Sequence, residues 1–300
     1  YMDSIPLIVI SGQVQSHLIG TDSFQETDMI GISRPIVKHS FVVHDTKDIP
    51  RIVQEAFYIA TSGRPGPVVI DIPKDKTDPN HLYDYKREKK VSIRSYQPKA
   101  LPHPGQIKKA SKNILSAERP VIYAGGGVIL GNAHKELIAL NKILKVPVTN
   151  TLMGLGSYPA NNKHFMGMLG MHGTYQANMA MHNADLIIAI GARFDDRITN
   201  TPALFAPKAR IIHIDVDPAS ISKIINADIP IVGQVKESLT ALIKEIKRSK
   251  LKIDSDAIDS WNSQIAIWRA KHGLDHELYL KNSKSKMILP QVVVQELYQA

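Results

Sequence analysis

The sequence predicts an α/β protein whose parallel sheets are doubly wound, with helices on both faces. Between residues 101 and 250, short apolar runs alternate with helical patterns, and this order is typical of strand–helix–strand units. Glycine-rich turns stand where several of these runs end, which is where such sheets bind ligands. The hydrophobic fraction of 43% in 300 residues is enough to bury the cores of about two domains.

The first predicted domain contains two strands and a helix. Residues 7–10 and 68–72 are near-continuous apolar runs, which favour buried strands, and residues 49–61 have a helical pattern. The domain is expected to cover residues 1–76. Residues 77–103 are polar and contain prolines without a sustained period, as is typical of a linker.

The second domain is expected over residues 104–250. Its predicted strands are residues 121–124, 146–151, 185–190, 209–216 and 229–232, and its predicted helices are residues 133–144, 174–182, 220–226 and 237–247. A second linker is expected over residues 251–286, where Trp261 and Trp268 are seven residues apart and indicate a packed helix face. Because residues 287–300 begin a helix and the strand at residue 7 has no preceding partner, we expect the chain to be the middle of a longer protein.

Composition excludes several classes of function. The net charge of +9 raises the question of nucleic acid, but the lysines cluster in linkers and on helix faces without interleaved aromatic residues, so we interpret them as solvated surface. No apolar run approaches the roughly 20 residues that a membrane-spanning helix needs. The absence of cysteine excludes disulfides and thiolate metal sites, and it is compatible with a reducing compartment. We therefore expect neither a nucleic acid nor a membrane as a partner.

Two segments of the second domain predict a site for a phosphorylated ligand. Residues 167–173 form a glycine-bracketed turn before a helix, and the next apolar strand ends at Gly191, with Arg193 and Arg197 four residues apart. Glycines let backbone N–H groups approach an oxyanion, the N-terminus of a helix carries partial positive charge, and arginines supply forked donors. We predict that both arginines contact phosphate or ribityl oxygens.

A glycine triplet at residues 125–127 follows another predicted strand. Its spacing to Gly131 is one residue longer than in the dinucleotide fingerprint, so a plain turn is an alternative. NAD sites also require an acidic residue at the end of the next strand, and none is present there. Asp215 is the better candidate to hold ribose hydroxyls, whereas Asp217 before Pro218 is interpreted as a helix cap.

Two further residues have an ordinary interpretation when they are considered alone. Arg64 lies in a Gly-Arg-Pro-Gly-Pro turn, where arginines usually face solvent. His172 is interpreted as structural, because no second histidine lies at metal-ligand spacing on the same element.

Taken in order, these segments resemble the acetolactate synthase large-subunit family, whose enzymes use thiamine diphosphate. The resemblance covers almost the whole chain. The matching segments are residues 12–14, 19–22, 24–26, 61–67, 71 with 73–75, 152 with 154–156, 168–173 and 191–199. The resemblance implies the second half of a pyrimidine-binding domain over residues 1–76, a Rossmann-like central FAD-binding domain over residues 104–250, and the start of a diphosphate-binding domain over residues 287–300.

The resemblance also implies roles for individual residues. FAD would be lined by Arg64, Gly125, Gly126, Gly127, Thr151, Leu152, Met168, Leu169, Gly170, Met171, His172, Gly173, Gly191, Ala192, Arg193, Asp195, Arg197, Ile198, Asp215, Val216 and Gly233. Phe24, Gln25 and Lys74 are the implied catalytic residues, and they would face the channel to thiamine diphosphate together with Met171 and Asp196. No metal ligand is implied within the chain.

In that family, pyruvate is decarboxylated and joined to a second 2-oxo acid, pyruvate or 2-oxobutanoate. The products are 2-acetolactate and 2-aceto-2-hydroxybutyrate, precursors of the branched-chain amino acids. Thiamine diphosphate with Mg²⁺ carries the reaction, and FAD has a structural role without net redox chemistry. The resemblance further implies a homodimer or homotetramer with a small regulatory subunit, in the cytoplasm of a prokaryote or the plastid stroma of an alga.

The chain departs from the family pattern at three positions. Gln15 replaces a common proline and Ser23 a common alanine, which bears on herbicide sensitivity, and Gln234 stands where an aspartate is common. The ring-activating glutamate is expected before residue 1, and the G-D-G motif for magnesium and diphosphate is not in the sequence, so we expect the isolated chain to be inactive. The alternatives are another FAD-containing thiamine-diphosphate enzyme, of the glyoxylate carboligase or pyruvate oxidase type, and a non-catalytic flavin-binding module.

Overall fold

The computed structural model describes residues 1–80, 82–84, 90–99, 101–272 and 287–300. The chain divides into two compact units, Tyr1–Leu101 and Pro102–Ala300. Both units contain parallel sheets with helices, so the predicted α/β class is confirmed. Among the described residues, every helix is too short or too polar to span a bilayer.

The first unit has a three-stranded parallel sheet. Its elements are β1 (Leu7–Gln13), α1 (Met29–Ser33), β2 (His39–Val42), α2 (Ile49–Thr61) and β3 (Pro67–Pro73). The strand order is β1-β3-β2, so β3 is central and its residues are almost all buried. Helix α2 covers β3 with Ile52, Ala56 and Ile59, whose spacing of three to four residues places them on one helix face.

The prediction of a buried strand at residues 7–10 is only half right. The strand forms, but it lies at an edge of the sheet, and Leu7 and Ile10 are 54% and 65% exposed. An apolar run identifies a strand without saying which of its faces are covered. Strand β2 was not predicted, because four residues are too few to display a period.

The second unit has a six-stranded parallel sheet. Its strands are β4 (Pro120–Ala124), β5 (Val148–Asn150), β6 (Phe165–Met168), β7 (Leu186–Ile190), β8 (Arg210–Asp215) and β9 (Ile229–Val232). Its helices are α3 (Pro104–Leu115), α4 (Gly126–Leu130), α5 (His134–Leu144), α6 (Tyr175–Asn183), α7 (Asp196–Thr199), α8 (Val235–Arg248), α9 (Ser255–His272) and α10 (Pro290–Gln299). The strand order is β6-β5-β4-β7-β8-β9, so the chain winds outward in two directions from β4 and β7.

Side chains alternate between the two faces of this sheet. Ile122, Ile188 and Ile212 are paired in register on neighbouring strands and share a core with α3, α5 and α8. Tyr123 and Ala189, one position further along, face the opposite core, which α6 and α9 complete. Because both faces are buried, the central strands β4 and β7 are predominantly apolar, as their sequences indicated.

Two local predictions in the second unit are corrected. Residues 220–226 form turns instead of the predicted helix, because Asp217 accepts a hydrogen bond from the Ala219 N–H at 3.0 Å and Ser222 adopts φ +59°. Asp217 therefore caps a turn, where a helix cap was expected. Strand β6 was not predicted, because Gly167, with φ +88°, interrupts the apolar pattern.

Helix α9 lies within the segment that was predicted to be a linker, and it packs against the core on one face of the six-stranded sheet. Trp261 is buried, its ring lies 5.8 Å from that of Trp268 in an edge-to-face arrangement, and its indole N–H donates to the Pro120 carbonyl at 3.2 Å. The packed helix face predicted from the tryptophan spacing is confirmed. Residues 273–286 of the predicted linker lie outside the described residues.

We expect Trp261→Ala to lower the free energy of unfolding by about 3–5 kcal/mol, because it empties a buried site and removes the donor to Pro120. Urea denaturation followed by circular dichroism measures this loss. The control is Ile267→Ala on the same helix, where the side chain is 59% exposed and a change within about 0.5 kcal/mol is expected. Equal losses in the two variants would contradict the packing of α9.

Candidate functional site

The predicted ligand residues of the second unit gather at one edge of its sheet. They follow the carboxyl ends of all six parallel strands: residues 125–127 after β4, 151–152 after β5, 168–173 at the end of β6, 191–198 after β7, 215–216 at the end of β8, and 233 after β9. In open α/β sheets, ligands bind at this edge, in the crevice where the winding direction reverses. Here that crevice lies between β4 and β7.

The backbones that follow β4 and β7 approach each other too closely for side chains. A β-carbon on Gly125 would lie 2.2 Å from the carbonyl oxygen of Gly191, and one on Gly127 would lie 2.7 Å from the Gly191 Cα. Gly191 itself has φ +57°, a left-handed conformation that favours glycine. The Gly127 N–H donates to the Gly191 carbonyl at 3.1 Å, which joins the two turns. The glycines therefore leave bare backbone at the head of the crevice.

The loop after β6 is held by side chains of α6. Gly170 has φ +107°, and its backbone makes two hydrogen bonds with the side-chain amide of Asn178. The Gly170 N–H donates to Oδ1 at 3.1 Å, and Nδ2 donates to the Gly170 carbonyl at 3.0 Å. Thr174 caps α6 by accepting the Ala177 N–H at 3.3 Å. A β-carbon on Gly173 would lie 2.3 Å from the Met168 carbonyl oxygen, so this turn also requires glycine.

The turn after β7 contains a buried phenylalanine between two arginines that are at least partly exposed. Phe194 is buried and has φ +55°, whereas Arg193 is partly exposed and Arg197 is exposed. Asp195 accepts the backbone N–H of Arg197 at 3.1 Å, which caps α7 and lowers the pKa of the Asp195 carboxyl. The Met171 N–H donates to the Arg197 carbonyl at 3.3 Å, so the loops after β6 and β7 are joined.

Asp215 ends β8 as a buried carboxylate with a fixed orientation. Its Oδ1 accepts the Asp217 N–H at 2.8 Å, and its backbone carbonyl accepts the Gly233 N–H at 3.0 Å, which ties β8 to the turn after β9. An oriented carboxylate at the carboxyl end of a strand is suited to accept hydrogen bonds from ribose hydroxyls.

Three predicted residues of the first unit follow the carboxyl ends of its strands. Phe24 and Gln25 lie in the loop after β1, where Phe24 is 89% exposed and Gln25 has φ +69°. Lys74 follows β3, which is the parallel neighbour of β1. Arg64 precedes β3 and lies at the opposite edge, where its Nε donates to the Ser4 hydroxyl at 3.0 Å. Within the first unit the structure therefore groups the three channel candidates and separates Arg64 from them.

Carboxylates organise the loop that carries Phe24 and Gln25. Asp75 accepts hydrogen bonds from the Ser16 N–H at 2.7 Å and from the Ser16 hydroxyl, and the backbone bond holds the pKa of this carboxyl well below its usual range. Glu26 accepts hydrogen bonds from the backbone of Gly20 and Ser23, and its pKa is lowered mainly by the former. Backbone N–H groups of the loop therefore bind two carboxylates, Glu26 of the loop itself and Asp75 from the segment after β3.

Sequence reasoning missed two residues whose side chains hydrogen-bond to the backbone of the site's loops. Asn178 bonds to Gly170, and the His213 ring contacts the Ala192 carbonyl at 2.7 Å. One signal was available, because His213 is the only polar residue between Ile211 and Ile214 in an otherwise apolar strand. His172, which was interpreted as structural, is exposed, and within the described ranges no three His, Asp or Glu side chains are grouped as metal ligands would be.

Comparison with known proteins gives consistent matches. Residues 107–242 match the family described as the central domain of thiamine pyrophosphate enzymes. The acetolactate synthase isozyme 3 large subunit of Escherichia coli K12 is 49% identical over 298 residues, which is 99% of this chain and 51% of that protein. The acetolactate synthase large subunit of Buchnera aphidicola from Schizaphis graminum is 52% identical with the same coverage.

A third relative matches a shorter part of the chain. The probable acetolactate synthase large subunit of Methanocaldococcus jannaschii is 49% identical over 253 residues, which is 84% of this chain and 43% of that protein. The chain therefore spans about half the length of the curated relatives it matches.

We expect Gly191→Ala to lower the free energy of unfolding by about 2–4 kcal/mol, because its β-carbon would lie 2.6 Å from the Gly127 Cα and its φ is left-handed. The matched control is Gly156→Ala. Gly156 has φ +91°, but no atom of the described residues lies within 4 Å of the position of its β-carbon, so only the backbone cost of about 1–2 kcal/mol is expected. Urea denaturation of both variants measures the difference. A cost for Gly191→Ala no larger than that of the control would contradict the close backbone approach.

Proposed function

Because this chain belongs to the acetolactate synthase large-subunit family, we propose that the protein containing it decarboxylates pyruvate and joins the remaining two-carbon unit to a second 2-oxo acid. The products would be 2-acetolactate from pyruvate and 2-aceto-2-hydroxybutyrate from 2-oxobutanoate, in branched-chain amino acid biosynthesis. The observation that carries this proposal is 49–52% identity to such subunits over 99% of the chain. In its central region the chain also matches the family of thiamine pyrophosphate enzymes.

We propose that the second unit binds FAD at the carboxyl edge of its sheet. The glycines after β4 and β7 fit a ligand whose phosphates approach bare backbone, since a β-carbon at Gly125 or Gly127 would overlap the Gly191 backbone. Arg193 and Arg197 supply forked donors for phosphate or ribityl oxygens. Asp215 supplies an oriented acceptor for hydroxyls. The proposed reaction is redox-neutral overall, so FAD would hold the loops in place and transfer no net electrons.

We assign the substrate channel to residues of the first unit. Phe24 offers an exposed aromatic surface, Gln25 an amide, and Lys74 a cation that suits the carboxylate of a 2-oxo acid. Thiamine diphosphate, with Mg²⁺, supplies the carbanion chemistry when it is bound. These three side chains would orient the 2-oxo acids and exclude water, and the bound carboxylates Asp75 and Glu26 would keep their loop in shape.

The proposed partners follow from the same family. Pyruvate and 2-oxobutanoate are the proposed substrates. A dimer or tetramer of catalytic subunits, with a small regulatory subunit, is the proposed assembly. Size-exclusion chromatography with light scattering on the protein encoded by the complete gene would measure the assembly directly.

Activity is tested with the protein encoded by the complete gene, supplied with pyruvate, thiamine diphosphate, Mg²⁺ and FAD. We expect acetolactate to form, measured as acetoin after acid treatment, without net flavin reduction. The 300-residue chain alone is the control and should give no product, because it has no G-D-G motif. Net flavin reduction by pyruvate would favour an oxidase instead, and product from glyoxylate alone would favour a glyoxylate carboligase. Flavin binding without turnover of any 2-oxo acid would favour the non-catalytic module.

The chain should bind FAD more tightly than NAD, because no acidic residue ends β5, where an NAD site requires one, and Asp215 lies in the other half of the sheet. Ligand at about 100 times its dissociation constant stabilises a fold by about 2.7 kcal/mol, so thermal unfolding with each nucleotide is a sensitive measurement. Equal shifts with both nucleotides, or a shift with NAD alone, would refute this preference.

Arg193→Ala should weaken FAD binding about ten- to a hundredfold, because a charged hydrogen bond to the ligand is lost. Arg193→Lys should recover only part of the affinity, since an ammonium keeps the charge without the planar fork. Fluorescence titration of FAD measures both variants. The control is Arg210→Ala, at the amino end of β8 and thus at the opposite edge of the same sheet. If Arg193→Ala binds FAD as the unsubstituted chain does, the turn after β7 does not contact the flavin nucleotide.

A further inference from the structure

A buried histidine lies directly beneath the turn that carries Arg193. His213 is on β8, in register with Ala189 on β7, which is in register with Tyr123 on β4. These three residues point to the same face of the sheet because they occupy equivalent positions on parallel strands. Tyr123, Ala189 and His213 are all fully buried.

The hydrogen bond of His213 defines the state of its ring. Its Nε2 lies 2.7 Å from the carbonyl oxygen of Ala192, and since a carbonyl only accepts, Nε2 carries the proton. The other ring nitrogen, Nδ1, is buried and has no hydrogen-bond partner in the part of the chain that the structure describes. Burial lowers the pKa of His213, so the ring is neutral. His213 and Asp215 therefore do not form an ion pair, although Nε2 lies 3.9 Å from the Asp215 carboxylate.

The same ring also contacts the residue on the other side of Arg193. Phe194 lies edge-to-face against His213, with ring centroids 5.2 Å apart, and its ring is 5.7 Å from that of Tyr123. Phe194 holds φ +55°, a strained conformation for an aromatic residue, and these contacts offset its cost. Arg193 is thus flanked by two residues, Ala192 and Phe194, that His213 holds by different interactions.

We propose that His213 is a positioning residue for the flavin site, which fixes the backbone on both sides of Arg193 and thereby aims its guanidinium at the ligand. This inference rests on the proposed FAD binding. Without the donor of His213, the inward-facing carbonyl of Ala192 would be buried without this partner, and the turn would relax to rehydrate it. The direction of the Arg193 side chain would then no longer be set.

The test measures FAD affinity of the 300-residue chain by fluorescence titration. His213→Phe keeps a ring against Phe194 but loses the donor, and we expect its dissociation constant for FAD to rise about tenfold. His213→Gln keeps a neutral donor that can reach Ala192 and should recover most of the affinity. The matched control is Tyr123→Phe, which removes a buried hydroxyl that has no partner among the described residues, and its affinity should stay within about twofold.

A double variant separates positioning from general stability. If His213 acts through Arg193, the variant with both Arg193→Ala and His213→Phe should bind FAD no more weakly than Arg193→Ala alone. Additive losses, or a His213→Phe affinity within about twofold of the unsubstituted chain, would overturn the inference. Failure of the unsubstituted chain to bind FAD would be a different result, which overturns the flavin proposal before any variant is compared.

A second measurement needs no variant and covers the case in which His213→Phe does not fold. Nitrogen-15 NMR of the unsubstituted chain should show His213 protonated only at Nε2, with a slowly exchanging N–H signal that shifts when FAD is added. A His213 signal that is unchanged by saturating FAD would overturn the inference.

Discussion

The second unit depends on one steric constraint, the close approach of two backbones where the sheet divides. Gly125 and Gly127 after β4 lie against Gly191 after β7 so closely that no β-carbon fits at any of the three positions. The hydrogen bond from the Gly127 N–H to the Gly191 carbonyl fastens this contact. Because the strands on either side wind away in opposite directions, the contact sets where the crevice begins.

The other loops of the carboxyl edge extend that contact outward. The loop after β6 is tied to the turn after β7 through the Met171 N–H and the Arg197 carbonyl, and the turn after β9 is tied to β8 through Gly233 and Asp215. These links are backbone hydrogen bonds, so they do not involve the guanidinium of Arg197. Two of the side chains that shape the loops, Asn178 and His213, hydrogen-bond to loop backbone through a neutral amide and a neutral imidazole. Neutral donors suit this position, because a buried charge without a partner would cost more than the hydrogen bond contributes.

The sequence predicted the parts of the structure that burial alone determines. Apolar runs such as Leu186–Ile190 became central strands, and the carboxyl edge gathered the predicted glycines because strand ends in a parallel sheet must share an edge. Predictions failed where local side-chain hydrogen bonds competed with regular structure. Asp217 accepts the Ala219 N–H through its side chain, and the chain turns where a helix was expected. Strand β6 was missed for another reason, because Gly167 interrupts its apolar pattern. Asn178 and His213 could not be identified as supports from sequence, because their function depends on which backbone groups folding brings near them.

The position of the buried acid indicates how a nucleotide would lie in this crevice. In an NAD site, the ribose acid ends the strand that follows the glycine turn, and both belong to the same half of the sheet. Here that strand, β5, ends in Asn150, whose amide nitrogen donates to the Ser157 hydroxyl at 3.1 Å within its own loop. The acid is Asp215 on β8, across the crevice from the glycines of β4. A nucleotide whose ribose reaches Asp215 and whose phosphates reach Gly125–Gly127 must therefore cross the division between β4 and β7, beside Arg193. This geometry suits a long dinucleotide held across the crevice, as we propose for FAD. In that arrangement the guanidinium of Arg193 would meet the ligand between the two halves of the sheet, so its orientation would affect the contacts on both sides.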